Sequence, residues 1–245
     1  MKTLIVGMGE VGQALHDVLK EVYPTYTKDL GACVNPDGVE LHELELDGEG
    51  IEIMHICIRH SASFPNTVRK YIQEIRPRLI NICTTVPPGT TQMFPGAVHS
   101  TTRGLHPNLA SGLFNIRKHV GGPGSLDVAR YFQKAGVDCQ AHTLAITTEV
   151  LHLLNNVHYG VNLMFADEAA KICRQFGVDY YDYMVYTADN NIGFAHLGNP
   201  TKVRSNLTPP GGKIGGHCVV PSANLIPEEA RGPLVERLAH YNDEP

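Results

Sequence analysis

The sequence has no C-x-x-C pair among its six cysteines, no run of Lys or Arg, and no apolar stretch near the ~18 residues of a membrane span. Each absence removes a class of function. Cys33, Cys57, Cys83, Cys139, Cys173 and Cys218 stand far apart, which argues against a disulfide scaffold and a structural zinc site and implies a reducing compartment. Twenty Lys plus Arg against twenty-five Asp plus Glu give a net charge of −5. With no basic stripe to follow a phosphate backbone and no acidic tail, nucleic acid is not an expected partner. The amino terminus enters a strand-like segment without the charged n-region and apolar h-region of a signal peptide, so a soluble, cytoplasmic protein is the expectation. There is no internal repeat and no low-complexity tract. What is present is a 245-residue chain, 42% hydrophobic, able to bury a core in one large domain or two smaller ones.

The first half opens with "MKTLIVGMGEVGQALHDVLKEV". An apolar run, Leu4 to Val6, turns through Gly7, Gly9 and Gly12 into a helical pattern carrying Val11, Leu15, Val18 and Leu19. This is G-x-G-x-x-G between a strand and a helix. Its first glycine makes the tight turn, its second lets the backbone meet a pyrophosphate, and its third lets the helix pack closely on the strand. The helix start supplies N–H groups and a partial positive charge for phosphates. Gly7, Gly9, Glu10, Val11 and Gly12 are therefore the candidate dinucleotide-binding stretch. Asp29 follows the β-like "TYTK", some twenty residues on, where an acid accepts a ribose 2′-hydroxyl and repels a 2′-phosphate. NAD is favoured, while neighbouring Lys28 keeps NADP open. "IEIMHICI", "RLINICTTV" and "DCQAHTL" read as strands, and "FPNTVRKYIQEIR" and "SLDVARYFQKAGV" as helices. Strands alternating with helices predict an α/β fold with a Rossmann-type, doubly wound parallel sheet. Ligands gather at the carboxyl ends of such strands, which places Cys57 in "CIRHS" and Thr85 in "CTTVPPGTT" near the cofactor.

The second half is helical. From Thr147, "TTEVLHLLNNVHYGVNLMFADEAAKICRQFGVD" keeps helical spacing for about thirty residues, with Thr147 or Thr148 as the expected N-cap and Gly177 as the stop. Apolar residues run almost all the way round its middle, which predicts burial against other helices or a second subunit, and a homodimer is the preferred reading. "DYYDYMVYTADNN" starts another helix, and "EEARGPLVERLAHY" forms a last one interrupted or delayed by Gly232-Pro233. The division expected is residues 1–146 for dinucleotide binding and residues 147–245 for a smaller helical substrate and dimerisation domain. Between its helices a Pro/Gly-rich loop, Gly198 to Gly216, delivers Cys218 in "GGKIGGHCVVPSANL". Glycines let a backbone approach a ligand closely, so this thiol is a candidate to stand beside a small molecule.

Four segments, "GMGEVG", "TTVPPGTT", "TEVLHLLNN" and "GGKIGGHCVVP", resemble in order the UDP-glucose/GDP-mannose 6-dehydrogenase family over residues 1 to 225. The resemblance covers that family's NAD-binding and central domains, and the C-terminal nucleotide-binding domain is expected to be absent. It implies an alcohol oxidised with NAD, an aldehyde captured by Cys218 as a thiohemiacetal, a second oxidation, and hydrolysis of the thioester. It also implies that Thr85 helps order a catalytic water and that Asn156 faces the reacting carbon. Three departures accompany it. His152 stands where the family has a lysine, Asn108 where it has a glutamate, and Ser222 is what the chain offers where an aspartate follows the nucleophile. An ammonium keeps its charge at neutral pH, whereas an imidazole can give and take a proton, so His152 is a candidate general base. "GLHPN" resembles the prephenate dehydrogenases of the wider 6-phosphogluconate dehydrogenase-like group, which makes His106 a second candidate base, with a plain loop histidine as the competing reading. His55, His60, His99 and His119 lack ligand spacing with acids, so a metal has little support. Besides a sugar-nucleotide dehydrogenase, two readings stay open. One is a two-electron dehydrogenase or reductase of a small hydroxy or keto acid using His106 or His152, and the other is a non-catalytic cofactor-binding module.

Overall fold

Leu4, Ile5 and Val6 have almost no exposed surface because strand β1 (Lys2–Val6) lies mid-sheet with both faces covered. That two-sided burial is why it reads as a continuous apolar run and not as an alternation. The computed structural model describes residues 1–29, 32–34, 37, 40–41, 50–105, 107–216 and 218–243. They form two units, Met1–His152 and Leu153–Pro245.

In the first unit the chain continues through helix α1 (Glu10–Leu19), β2 (Thr25–Asp29), β3 (Ala32–Val34), β4 (Glu40–Leu41), β5 (Ile51–Ile56), α2 (Phe64–Ile75) and β6 (Leu79–Ile82). Then come β7 (Val98–His99), α3 (Leu109–Asn115), β8 (Lys118–Gly121), α4 (Ser125–Lys134) and β9 (Cys139–His142). Among the described residues the strands make one nine-stranded sheet, ordered β4-β3-β2-β1-β5-β6-β7-β8-β9. β1 pairs in parallel with β2 and β5, and β5, β6 and β7 continue in parallel. Side chains alternate between faces. Ile5 and Ile53 meet Leu15, Leu113 and Phe132 from α1, α3 and α4 on the first face, while Leu4, Val6, Met54 and Ile56 meet Phe64 and Val68 of α2 on the second. The α/β, Rossmann-type sheet wound on both faces is thus present, with two differences from a purely parallel one. β3 follows β2 after two residues, too few for a crossover, so it returns antiparallel. β8 also runs antiparallel to β7 and then pairs in parallel with β9.

Helix α5 (Ala145–Gln175) begins in the first unit and runs into the second. It starts ahead of Thr147, so neither threonine is its N-cap. Thr148 Oγ1 instead turns back to the Ala145 carbonyl at 2.9 Å and lies 2.9 Å from His99 Nδ1 of β7. The expected stop is realised: Gly177 takes φ +69° and the Val178 N–H closes on the Cys173 carbonyl at 2.9 Å, a left-handed helix end. The second unit adds α6 (Tyr180–His196), α7 (Val219–Leu225) and α8 (Pro233–Ala239). Asp179 caps α6 by accepting the Tyr181 N–H, and Pro233 opens α8 after a separate turn at Glu228–Ala230. This unit's core is small, built on Val157, Ile214, Ala223, Leu238 and Ala239. Phe165 and Ile172 of α5, with Tyr181, Tyr186 and Ile192 of α6, are exposed. Among the described residues no helix is long and apolar enough to cross a membrane.

A Cβ added at Gly12 would lie 1.9 Å from the Gly7 carbonyl oxygen and 3.0 Å from its carbon, and backbone atoms cannot step aside as a flexible side chain does. Gly12→Ala is expected to lower the unfolding free energy by at least ~1–3 kcal/mol, measured by urea denaturation. An unchanged midpoint would refute the close approach.

Candidate active site

Gly7, the residue after β1, holds three strand tips together. Its φ of +93° is in the left-handed region, its N–H donates to the Lys28 carbonyl of β2 at 2.8 Å, and an added Cβ would lie 2.9 Å from the Cys57 carbonyl carbon and oxygen just beyond β5. Gly9 caps α1 without a side chain, and nothing lies within 4 Å of where its Cβ would be. The backbone there is open to a ligand, and Glu10 and Val11 begin the helix whose amides face that opening. Val11 also packs on the first-face core. Asp29, the last residue of β2, accepts the Met8 N–H on Oδ2 at 3.1 Å, so the predicted ribose-binding carboxylate sits at the glycine turn. A dinucleotide fits this set: an open backbone at Gly9, a helix start for phosphate and an acid one strand away.

Two strands along, the residues after β6 carry the polar groups. Thr84 Oγ1 lies 2.7 Å from the Ile58 carbonyl and 3.2 Å from that of Ile56, fixing the strand ends to each other. Thr85 Oγ1 lies 3.0 Å from His152 Nε2. Burial first, then the nearby charges of Arg103 and Lys118, push the His152 imidazole down to about 4, so it is neutral at physiological pH. Behind it, His99 is fully buried and pushed down to about 3, again chiefly by burial. Its Nε2 lies 3.3 Å from the Thr84 carbonyl, which requires an N–H there and leaves Nδ1 as an acceptor that shares the one Thr148 hydroxyl proton with the Ala145 carbonyl.

One residue beyond Thr148, the Glu149 carboxylate accepts the Gly89 N–H at 2.6 Å and the Thr91 N–H at 2.8 Å, with only 1% of its surface exposed. It clasps the "PPGTT" turn that follows Thr85. Glu149, His99 and the buried Lys118 were not singled out in the sequence, because their partners lie 15 to 60 residues away. The one available signal was an acid on the buried side of an apolar helix start.

Asn156, Ser222 and Cys218 belong to the second unit. Asn156, one turn beyond His152 on α5, donates from Nδ2 to Ser222 Oγ at 3.0 Å. Ser222 is buried in α7, and its N–H donates to the Cys218 carbonyl at 3.0 Å. Cys218 is exposed at the N-cap of α7, so Asn156 is tied to the helix that Cys218 begins. Asn108, where a glutamate was expected by resemblance, is the N-cap of α3 and accepts the Ser111 N–H at 3.3 Å. His106 lies outside the described residues.

No family model matches the chain. A curated relative, the UDP-N-acetyl-D-mannosamine dehydrogenase of Methanococcus vannielii, is 29% identical over 164 residues, 63% of this chain and 35% of the relative. The chain thus matches about a third of that relative's length. Among solved structures, the UDP-D-ManNAc dehydrogenase of Pyrococcus horikoshii aligns with a TM-score of 0.77 at 18% identity, over 99% of this chain and 68% of that one. The 3-hydroxyisobutyrate dehydrogenase of Mycobacterium tuberculosis aligns with a TM-score of 0.65 at 15% identity, over 97% and 91%. At those identities the two structural likenesses speak to the fold.

Glu149→Ala leaves two buried N–H groups without their acceptor, at ~1–3 kcal/mol each. It is expected to lower stability by roughly 2–5 kcal/mol, read as a shift in the urea midpoint at constant slope. The two depressed histidines set a pH dependence. Between their folded values and the ordinary ~6.5, the unfolded chain binds protons that the native one does not, so stability is whole above pH ~6.5 and falls as pH drops through 4 towards 3. A neutral substitute, His99→Gln, is expected to flatten that fall by up to ~1.4 kcal/mol per pH unit, and an unaltered profile would contradict the depression.

Proposed function

We propose that the chain, whose curated and structural relatives support a member of the UDP-glucose/GDP-mannose dehydrogenase family, is an NAD-dependent oxidoreductase that oxidises a primary alcohol of a UDP-linked sugar. The glycine turn carries this reading. Gly7, Gly9, Glu10, Val11 and Gly12 would hold a pyrophosphate, Asp29 a ribose diol, and Cys57 and Thr85 the neighbouring walls. Asp29 beside Met8 favours NAD over NADP. The bound nicotinamide would supply the hydride acceptor.

The chain's own residues supply the proton chemistry. His152 is a neutral imidazole 3.0 Å from the Thr85 hydroxyl, so the two form a path along which the substrate hydroxyl's proton leaves. Asn156 follows one turn later on the same helix, its amide held by Ser222. Cys218 is assigned the aldehyde: its sulfur adds to the carbonyl carbon, the C=O π pair moves to oxygen, and that oxygen takes a proton to give a thiohemiacetal. Residues 1–146 would bind the dinucleotide and residues 147–245 would bind substrate and dimerise, with the exposed apolar side chains of α5 and α6 as the dimer surface. A cytoplasmic setting suits reduced thiols. The second reading is the two-electron oxidation of a small hydroxy acid, or reduction of a keto acid, with His106 or His152 as acid/base.

Incubation with NAD and either UDP-N-acetyl-D-mannosamine, UDP-glucose or 3-hydroxyisobutyrate, with NADH counted per substrate consumed, separates the two. A UDP-sugar turned over with two NADH per molecule, and no acid formed by Cys218→Ala, is the expected result. One NADH per molecule, with Cys218→Ala fully active, would end the assignment of Cys218.

A further inference from the structure

Cys57 and Cys83 each follow the last residue of adjacent parallel strands. β5 and β6 pair with Ile56 opposite Ile82, and the Cys83 N–H continues the ladder to the Ile56 carbonyl at 2.8 Å. The register therefore sets the two thiols side by side, and alternation puts both on the first face, where both join the core. Each thiol shifts the other's proton affinity, raising that of Cys57 and lowering that of Cys83. Asn81 Nδ2 donates to Cys83 Sγ at 3.3 Å. Cys83 is 2% exposed, whereas Cys57 is half-buried.

Beside them lies a buried cation. Lys118 of β8 is 2% exposed; its Nζ donates to the Ser100 and Thr101 carbonyls at 3.3 and 3.0 Å and lies 4.9 Å from the Phe132 ring centroid. Among the described residues no carboxylate pairs with it. A buried ammonium without a counter-charge is strongly disfavoured, and the acids facing it are thiols: Cys83, Cys139 and Cys57, with Arg103 as the other cation. Burial alone would raise the Cys83 thiol, but the hydrogen bonds of Cys57 and His55, with the Lys118 charge, hold it well below the ordinary thiol range. The hydrogen bond to Cys83 and burial raise Cys57. The two shifts run in opposite directions, which favours the proton on Cys57 and the charge on Cys83, the form that hydroperoxides oxidise.

We propose that Cys57 and Cys83 are an oxidisable dithiol, an unassigned modification site whose co-reactant is a hydroperoxide and whose disulfide form disables the dinucleotide crevice. The thiolate attacks one peroxide oxygen, the O–O bond breaks, and with one proton a sulfenic acid and water result. The second sulfur displaces hydroxide from the sulfenic acid, which leaves as water with the thiol's proton as the S–S bond forms. Two thiols lose two electrons and two protons, and hydrogen peroxide becomes two waters. Bonding draws the sulfurs to ~2.05 Å, pulling the tips of β5 and β6 together. The Cys57 carbonyl against which Gly7 packs moves with them. The effect on the crevice rests on its reading as an NAD site; the thiol chemistry does not.

The test treats the purified chain with one equivalent of hydrogen peroxide, alkylates it after unfolding, and maps the peptides. A Cys57–Cys83 disulfide reversed by dithiothreitol is expected, with NADH affinity about tenfold lower in the oxidised protein and recovered on reduction. Cys83→Ser should keep NADH binding and lose its peroxide sensitivity. Both thiols still alkylated while oxidation falls on Cys218, or both oxidised separately without a cross-link, would overturn the dithiol. Equal NADH affinity before and after cross-linking would overturn its effect on the crevice. If the reduced protein binds no NADH, the oxidoreductase reading fails instead, and the peptide map still decides the dithiol.

Discussion

The carbonyl of Gly7 occupies the space that a side chain on residue 12 would need, and the amino-terminal unit is arranged around that approach. Because α1 can press its first turn onto the end of β1, the helix start and the strand tip meet in one place. The same residue ties its N–H to β2 and lies against the backbone beyond β5. The turn is therefore held from three sides by the protein alone, with Asp29 adding a fourth tie through the Met8 N–H. A loop so fixed loses little further freedom when a ligand arrives, and that saving favours affinity.

A similar economy governs the start of α5. Thr148, Glu149 and His152 lie within little more than one turn of it, and each engages a different part of the first unit: His99, the "PPGTT" turn and Thr85. The contacts that anchor this helix also aim the His152 ring. His152 is neutral because burial and the positive charges of Arg103 and Lys118 all disfavour a second proton. Those same charges would also weigh against a lysine there, so the histidine, an outright departure by resemblance, agrees with its electrostatic surroundings.

How far the sequence could be read follows the range of the interactions. The glycine turn, the strand–helix alternation and the Gly177 stop are local, each encoded within a few residues, and each is present as read. The place of Asp29 beside the glycine turn was legible for the same reason, since its strand is short and follows α1 closely. The start of α5 was misplaced because Thr148, a good N-cap by type, is recruited by His99 from 49 residues away. The antiparallel β8 has no local signature either. Asn108 looked like a missing catalytic acid only by resemblance, whereas its hydrogen bond makes it a helix cap, a role its residue type announces unaided. Glu149 and Lys118 were passed over because a buried charge is recognised by what surrounds it, and chain order does not carry that.

The chemistry of His152 therefore turns on what a substrate does to its surroundings. In the role of base proposed for it, an imidazole pushed down to about 4 is a weak acceptor for an alcohol's proton, since transfer works best when the value lies near the working pH. Burial is the larger cause of the depression and the Arg103 and Lys118 charges are smaller ones. A bound anion that offset those charges would raise the imidazole towards its ordinary range, while an uncharged substrate that only excluded water would lower it further. A nucleotide diphosphate holds its charge several bonds from the reacting carbon, whereas a small hydroxy acid holds its carboxylate within two or three. The two candidate substrate classes thus tune this base differently, and a hydroxy acid tunes it more strongly for the same net charge, because Coulomb energy falls with distance.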